Sequence, residues 1–347
     1  MIIVIGGGGA LLQWLGPPPS PSAPSPAPPP RAAAAAPAPG PTAAAPALVA
    51  TAVPAQPGGP IAPPDPLLLE PSRADPKVML PRIGPDGATS MRVYASAFNA
   101  SDPRPRIGLV VAGIGESDDE SEAAIALPGA VALAFSPYAV DPGALLAEAR
   151  SKGHEILISL PLEPAGYPLN NAGDEALLVA ASPEQNLQRL DWALGRIEGY
   201  VGATGAMDGM YGERFAASPD LLDGLERRLA GRGLLYIDPR AGQPDPTFVT
   251  GRTADLIVDE PPVGPTITAN LDKLETIARA RGSALGVVGW PGPTTVELVA
   301  AWVPTLAAKG LVLAPVTALA RAPAQHPAQA PAPHPGQPAA GKPAGNP

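Results

Sequence analysis

Three carboxylates, Glu163, Asp208 and Asp238, stand in short loops that each follow an apolar run. Side chains of that kind either gather a hard cation or divide acid and base roles between them. Glu163 lies in Ser159-Leu160-Pro161-Leu162-Glu163-Pro164, and Asp208 in the stretch from Thr204 to Phe215 that also holds Tyr211, Glu213 and Arg214. Asp238 opens Asp238-Pro239-Arg240. Glu163 and Asp238 are catalytic candidates, each with a structural alternative: Asp238 holds Arg240 or caps its loop, and Glu163 fixes backbone in the Pro161 to Pro164 turn. Ser159, Asp208, Tyr211, Arg240 and Trp290 are the expected cleft lining, and Trp290, Tyr211, Tyr138 and Tyr167 are aromatic surfaces suited to stacking on sugars. Imidazole is missing from this set. Of the three histidines, His154 precedes an apolar run, at the end opposite those loops, where a capping or surface role is expected, while His326 and His334 stand apart in a Pro-rich tail. No metal-ligand set is assigned and no cofactor is expected. A divalent cation enters only if the three carboxylates converge.

The elements that must position these side chains are short apolar runs alternating with amphipathic stretches, which is a β/α pattern. Strands are predicted over 107–112, 130–135, 155–160, 200–203, 234–238, 255–258, 284–289 and 311–316. They are too evenly apolar to be half exposed, so they suit a parallel sheet covered by helices, and the predicted fold is an irregular (β/α) barrel of 7–8 mostly parallel strands. Ser182, Pro183 and Gln185 make a capping box for a helix whose Leu187, Leu190, Leu194 and Ile197 share one face. Ser218-Pro219 starts another, and 141–153 and 268–282 repeat the design. In such a sheet the site is built by loops leaving the C-terminal ends of the strands, including 113–119 and 289–291 beside the three above.

Composition separates this core from its ends. The chain has 347 residues, and more than half of its 51 prolines lie in the two terminal stretches 1–66 and 321–347. Residues 17–66 alone hold 19 prolines among alanine, serine and glycine, a mixture that cannot bury enough apolar surface to offset chain entropy. The expected organisation is an apolar anchor or export remnant over 1–16, a mostly disordered Pro/Ala linker over 17–104, a domain over 105–320 and a Pro/Ala tail over 321–347. The segment MIIVIGGGGALLQWLG is shorter than a bilayer span and lacks a positive start, which points to a start codon upstream. A dinucleotide fingerprint is disfavoured there, because Leu11 takes the third glycine position and Pro17 to Pro19 stop any helix. A net charge of −9 with no Lys/Arg cluster excludes nucleic acid as a partner. The absence of cysteine excludes disulfides, thiolate metal sites and a cysteine nucleophile.

Read in order, these segments resemble the divergent polysaccharide deacetylases of bacterial envelopes. The third predicted strand carries the clearest signal: Gly153-His154-Glu155, then Ile156 to Ile158, then Ser159-Leu160-Pro161-Leu162-Glu163-Pro164, where the family has a histidine in place of Ser159. Gly199-Tyr200-Val201-Gly202 is similar to the family's stretch before an Asn-His motif, which is absent here. Ile237-Asp238-Pro239-Arg240 is similar to its Leu-Asp-Ser-Arg. Ala112 and Gly113 stand where it has a paired aspartate, and Val288-Gly289-Trp290-Pro291 replaces Ile-Gly-His-Pro. The resemblance implies a NodB-like barrel and, for the family, metal-assisted removal of an acetyl group from an amino sugar. It also implies loss of that metal centre in this chain, since the acids and imidazoles are replaced together. The expected role is a catalytically degenerate module that binds a cell-envelope glycan or an envelope protein, on the periplasmic side and held at the inner membrane through the N-terminus. The alternatives are a carboxylate-based hydrolase and an envelope spacer.

Overall fold

The computed structural model describes residues 59–323. The expectations for the 1–16 segment, for the linker up to residue 58 and for the tail beyond residue 323, including His326 and His334, fall outside the described residues. Along the chain run β1 (Leu69–Pro71), β2 (Met79–Pro81), α1 (Ser90–Val93), β3 (Arg106–Ile114), α2 (Asp118–Ile125), β4 (Ala132–Phe135), α3 (Gly143–Ser151) and β5 (Ile156–Ser159). Then come α4 (Pro183–Leu194), β6 (Gly202–Thr204), α5 (Glu213–Ala216), α6 (Pro219–Gly231), β7 (Leu235–Asp238), β8 (Gly251–Thr253) and β9 (Leu256–Ile257). The last elements are α7 (Gly264–Arg281), β10 (Ser283–Val288), α8 (Pro293–Trp302) and β11 (Val312–Leu313). Among the described residues no helix is long and apolar enough to cross a membrane.

β3 to β11 form one parallel sheet in the order β8-β7-β6-β5-β4-β3-β10-β9, with β11 also paired to β3. The two faces of the sheet pack against different partners. Leu109, Val111, Leu133, Phe135, Ile156, Ile158 and Tyr236 pack outward with α-helical residues such as Leu190, Leu229, Leu274 and Val299. Val110, Ala112, Ala132, Ala134, Leu157, Ile237 and Val287 fill the inner face without residues of the long helices. This is the irregular parallel barrel that the sequence pattern predicts.

Its closure is made by two consecutive amides. β8 and β9, at opposite ends of the strand order, are separated only by Ala254 and Asp255. Ala254 N donates to Asp238 O at 2.8 Å on the β7 side, and Asp255 N donates to Leu285 O at 2.8 Å on the β10 side. The seam is therefore stitched by peptide groups in place of a strand ladder. Arg252 supports it from within, donating to Ser283 Oγ at 2.7 Å and pairing with Asp255 at 2.8 Å.

Two expectations need correcting. The linker expected over 17–104 does not extend through 59–104, where β1 and β2 form an antiparallel hairpin and Leu68, Leu80 and Tyr94 are buried. Leu68 and Tyr94 join the inner cluster, and Ser96 N donates at 2.9 Å to Glu155, the residue before β5. This arm thus closes the end of the barrel at which the strands start. His154 is fully buried and neither caps nor faces solvent: its ring nitrogens stand 2.8 Å from Val131 O and 3.0 Å from Ile125 O. Burial depresses its basicity, against the pull of those two carbonyls, and the ring ties the start of β5 to the segment before β4.

Candidate functional site

The open end of the barrel lies where the strands finish, and its floor is set by the loop after β6. Met207 and Met210 exchange backbone hydrogen bonds of 2.9 and 2.8 Å around Asp208-Gly209, whose φ angles of 46° and 70° are both left-handed. Asp-Gly is the pair a two-residue turn with positive φ at both centres prefers, so this sequence projects the Asp208 carboxyl from the tip of a tight turn. Gly209 N donates to Gly289 O at 3.2 Å, tying that tip to the loop after β10. Asp259, just after β9, fixes the same loop by accepting from Gly289 N at 2.8 Å and Trp290 N at 2.9 Å.

Trp290 is held from its other edge by α2. Ser117 caps that helix, and Asp118, Asp119 and Glu120 lie in its first turn, where carboxylates meet the positive end of the helix dipole. Glu120 Oε2 accepts from Trp290 Nε1 at 3.2 Å, which leaves the indole 47 % exposed. Trp290, Asp208, Gly209, Tyr211, Asp259, Glu260, Pro262 and Gly289 line a cavity of about 400 Å³. On the far side of Asp208 a second hollow of about 360 Å³ is lined by Glu116, Tyr138, Asn171, Gly173, Asp174, Met207 and Met210, among others. Asp208 is shared by both. Desolvation in the cleft, then the charge of Glu116 and a hydrogen bond with it, push the Asp208 carboxyl up to about 6. Glu116 in turn accepts from Ser136 Oγ at 2.5 Å.

The expected site residues divide into two groups. Asp208, Tyr211 and Trp290 line one cavity, with Tyr138 in the adjoining hollow, where it packs on Trp192 with ring centroids 5.2 Å apart. Glu163, Asp238, Arg240, Ser159 and Tyr167 line neither. Glu163 is buried, paired with Arg214 at 2.9 Å and accepting from Val179 N at 2.5 Å. Asp238 is clamped by Arg240 through Nε at 3.0 Å and Nη2 at 2.6 Å. Strand alternation explains why Asp238 does not meet Ser159. Asp238 falls on the outward side with Tyr236, whereas Ser159 shares the inward side with Leu157. Glu116, Glu120, Asp259 and Glu260 were not singled out from sequence. Glu116 stands in the loop after β3, and Asp259-Glu260 directly follows the predicted strand 255–258, so the rule about C-terminal strand ends reaches all but Glu120.

The zinc centre implied by the resemblance does not fit these residues. Ala112 and Gly113 offer no side-chain donor, Ser159 Oγ is buried without a partner, and Trp290 occupies the position of the Ile-Gly-His-Pro histidine. Among the described residues no three His, Cys, Asp or Glu side chains are grouped so as to hold a metal ion. Glu163, Asp208 and Asp238 do not converge.

Comparison with known proteins agrees with the motifs. An uncharacterised protein of Agrobacterium tumefaciens C58 has a crystal structure similar to this fold, with a TM-score of 0.63 and 31% identity over 70% of this chain and 99% of its own. An uncharacterised protein of Haemophilus influenzae (strain Rd) is 24% identical over 222 residues, 60% of this chain and 75% of that protein. A looser likeness, with a TM-score of 0.42 and 13% identity over 67% of this chain and 97% of the other, is to the catalytic domain of peptidoglycan N-acetylglucosamine deacetylase from Eubacterium rectale ATCC 33656. The sequence profile of the divergent polysaccharide deacetylases matches residues 109–320, more than half of the molecule, and the chain belongs to that family.

Proposed function

We propose that this chain serves carbohydrate metabolism of the bacterial cell envelope as a catalytically degenerate, glycan-binding member of its family, acting on the periplasmic side. The observation that carries the reading is Trp290. It puts a half-exposed indole, fixed by Glu120 and Asp259, at the rim of a cavity with carboxylates beneath it, where the family motif has histidine. A flat apolar face above hydrogen-bonding groups is what a pyranose ring requires, since sugars pair an apolar C–H face with an equator of hydroxyls. The reading of Glu163 and Asp238 as an acid/base pair loses support because each is committed to an arginine.

The test is calorimetric titration with partially N-acetylated glucosamine oligomers, alongside an acetate-release assay. Binding without acetate release is expected, with Trp290→Ala weakening affinity about tenfold, the equivalent of roughly 1.4 kcal/mol of lost stacking. Steady acetate release by the purified protein, or no binding at any oligomer length, would overturn it.

A further inference from the structure

Among the described residues the cleft presents carboxyl groups and no cationic side chain. Glu116, Asp174, Asp208, Asp259 and Glu260 all line the two adjoining hollows, and among the described residues no lysine, arginine or histidine does. Asp259 is spent on the amides of Gly289 and Trp290, but Glu116 and Asp208 face each other with capacity to spare. A second feature is independent of these acids. Tyr211 is only 8% exposed, yet among the described residues its hydroxyl has no hydrogen-bond partner. A Cβ placed on Gly289 would come within 2.5 Å of the Tyr211 Oη, which sets that hydroxyl against a glycine lining the same cavity. A hydroxyl left open toward a cavity at the end of a largely buried ring is free to pair with a polar group that enters there.

On the reading of the cleft as a glycan site, we infer that it selects amino sugars whose amine is free and protonated, glucosamine units without their acetyl group, over N-acetylated ones. An ammonium brings three donors and a positive charge, which suits two carboxyls, Glu116 and Asp208, lining the same hollow. An acetamido group brings a carbonyl acceptor and a methyl, and gains nothing from that pair. Tyr211 Oη serves a neighbouring sugar hydroxyl, and Trp290 covers the ring face. The Asp-Gly turn fixes the geometry, because the tip that carries Asp208 is tied to Gly289 by the Gly209 amide.

The experiment titrates the protein with fully de-N-acetylated and fully N-acetylated tetramers of β-1,4-linked glucosamine at low ionic strength, with tetralysine as a charge control. The de-N-acetylated tetramer is expected to bind at least tenfold more tightly than either, its advantage shrinking with added salt as the ion pair is screened. Asp208→Asn, which the left-handed turn accepts because Asn visits that conformation readily, is expected to bring the two sugars within about twofold of each other. Tyr211→Phe is expected to weaken both. Equal or tighter binding of the N-acetylated tetramer overturns the selectivity and leaves the glycan-binding reading intact. Equal competition by tetralysine also overturns it, by reducing the preference to bulk charge. Failure of both sugars to bind removes the glycan reading itself, and the selectivity with it.

Discussion

Asp208 Oδ1 lies 3.3 Å from the point at which a Cβ would stand on Gly113, and Pro291 Cδ lies 3.1 Å from the same point. Gly113 also has a φ of +78°, a conformation that L side chains rarely adopt. The place where the family motif has its second aspartate is thus both strained for a side chain and already crowded by other groups. Restoring the acid is therefore expected to fail. Gly113→Asp should lower stability by about 1–3 kcal/mol through backbone strain and repulsion from Asp208, read as a fall in Tm. Combined with Ala112→Asp and Ser159→His it should yield no stoichiometric zinc by elemental analysis. A stable triple variant that binds zinc would show that the site is only unlettered and has not been rebuilt.

Ser159 gives the complementary test. Its side chain is fully buried and its Oγ has no partner, so the hydroxyl carries a desolvation penalty with nothing to offset it. Ser159→Ala is expected to raise stability by about 1 kcal/mol and to leave oligomer affinity unchanged. Ser159→His alone should cost about 1–3 kcal/mol by overpacking. Denaturant midpoints with an unaltered slope check both. A loss of binding in Ser159→Ala would place the hydroxyl in the site after all.

The strands, the parallel order and most helices were legible because each is written in a local signal. The apolar runs mark β3 to β7 and β9 to β11, and the box at Ser182 and Gln185 forms as read, with the Ser182 side chain accepting from Gln185 N. β8 was not legible, since Gly251-Arg252-Thr253 has no apolar run and is a strand only through pairing with β7. The arm over 59–104 was hidden by its prolines, which suppress helix and ladder but do not prevent Leu68 and Tyr94 from packing. For the site, the strand-end rule named the loops correctly and said nothing of which acids are committed. Arg214 lies fifty-one positions after Glu163, and no sequence spacing announces that they pair.

Asp238 and Arg240 should behave as structure. Both oxygens of the buried carboxylate engage the guanidinium, so Arg240→Ala leaves an unpaired buried charge and is expected to cost about 3 kcal/mol. Combining it with Asp238→Asn should recover much of that loss, a coupling that a double-mutant cycle measures. Neither change should alter oligomer affinity by more than about twofold. A selective loss of binding or of any hydrolytic rate, at unchanged Tm, would return Asp238 to a catalytic role.

The boundary of the domain is open to a direct check. A fragment spanning 105–320 loses the burial of Leu68, Leu80 and Tyr94, worth roughly 1.5–3 kcal/mol for each large apolar side chain, and strips the Ser96 amide from Glu155. It is expected to unfold well below the fragment 59–323 in a thermal scan. Equal Tm values would mean that the arm is a passenger.

Glu155 gives the stability of this protein a slope in pH. Burial pushes its carboxyl up to about 7 from an ordinary 4.5, against the opposing pull of hydrogen bonds from Thr317 and Ser96. The folded chain therefore holds this proton more tightly than the unfolded chain does. Its contribution is fully present below about 4.5, declines as pH rises toward about 7 and then levels off, a change on the order of 3 kcal/mol across that window. Asp208, Asp259 and Glu226 are raised as well and add slope of the same sign. Glu155→Gln separates the contributions, because it cannot ionise and should flatten the curve of unfolding free energy against pH by the share that belongs to Glu155. The wild-type and variant curves, measured by urea titration from pH 4 to pH 8, should converge at the acid end and diverge toward neutrality in favour of the variant. Parallel curves would mean that Glu155 stays charged in the fold, with the Thr317 and Ser96 donors outweighing its burial.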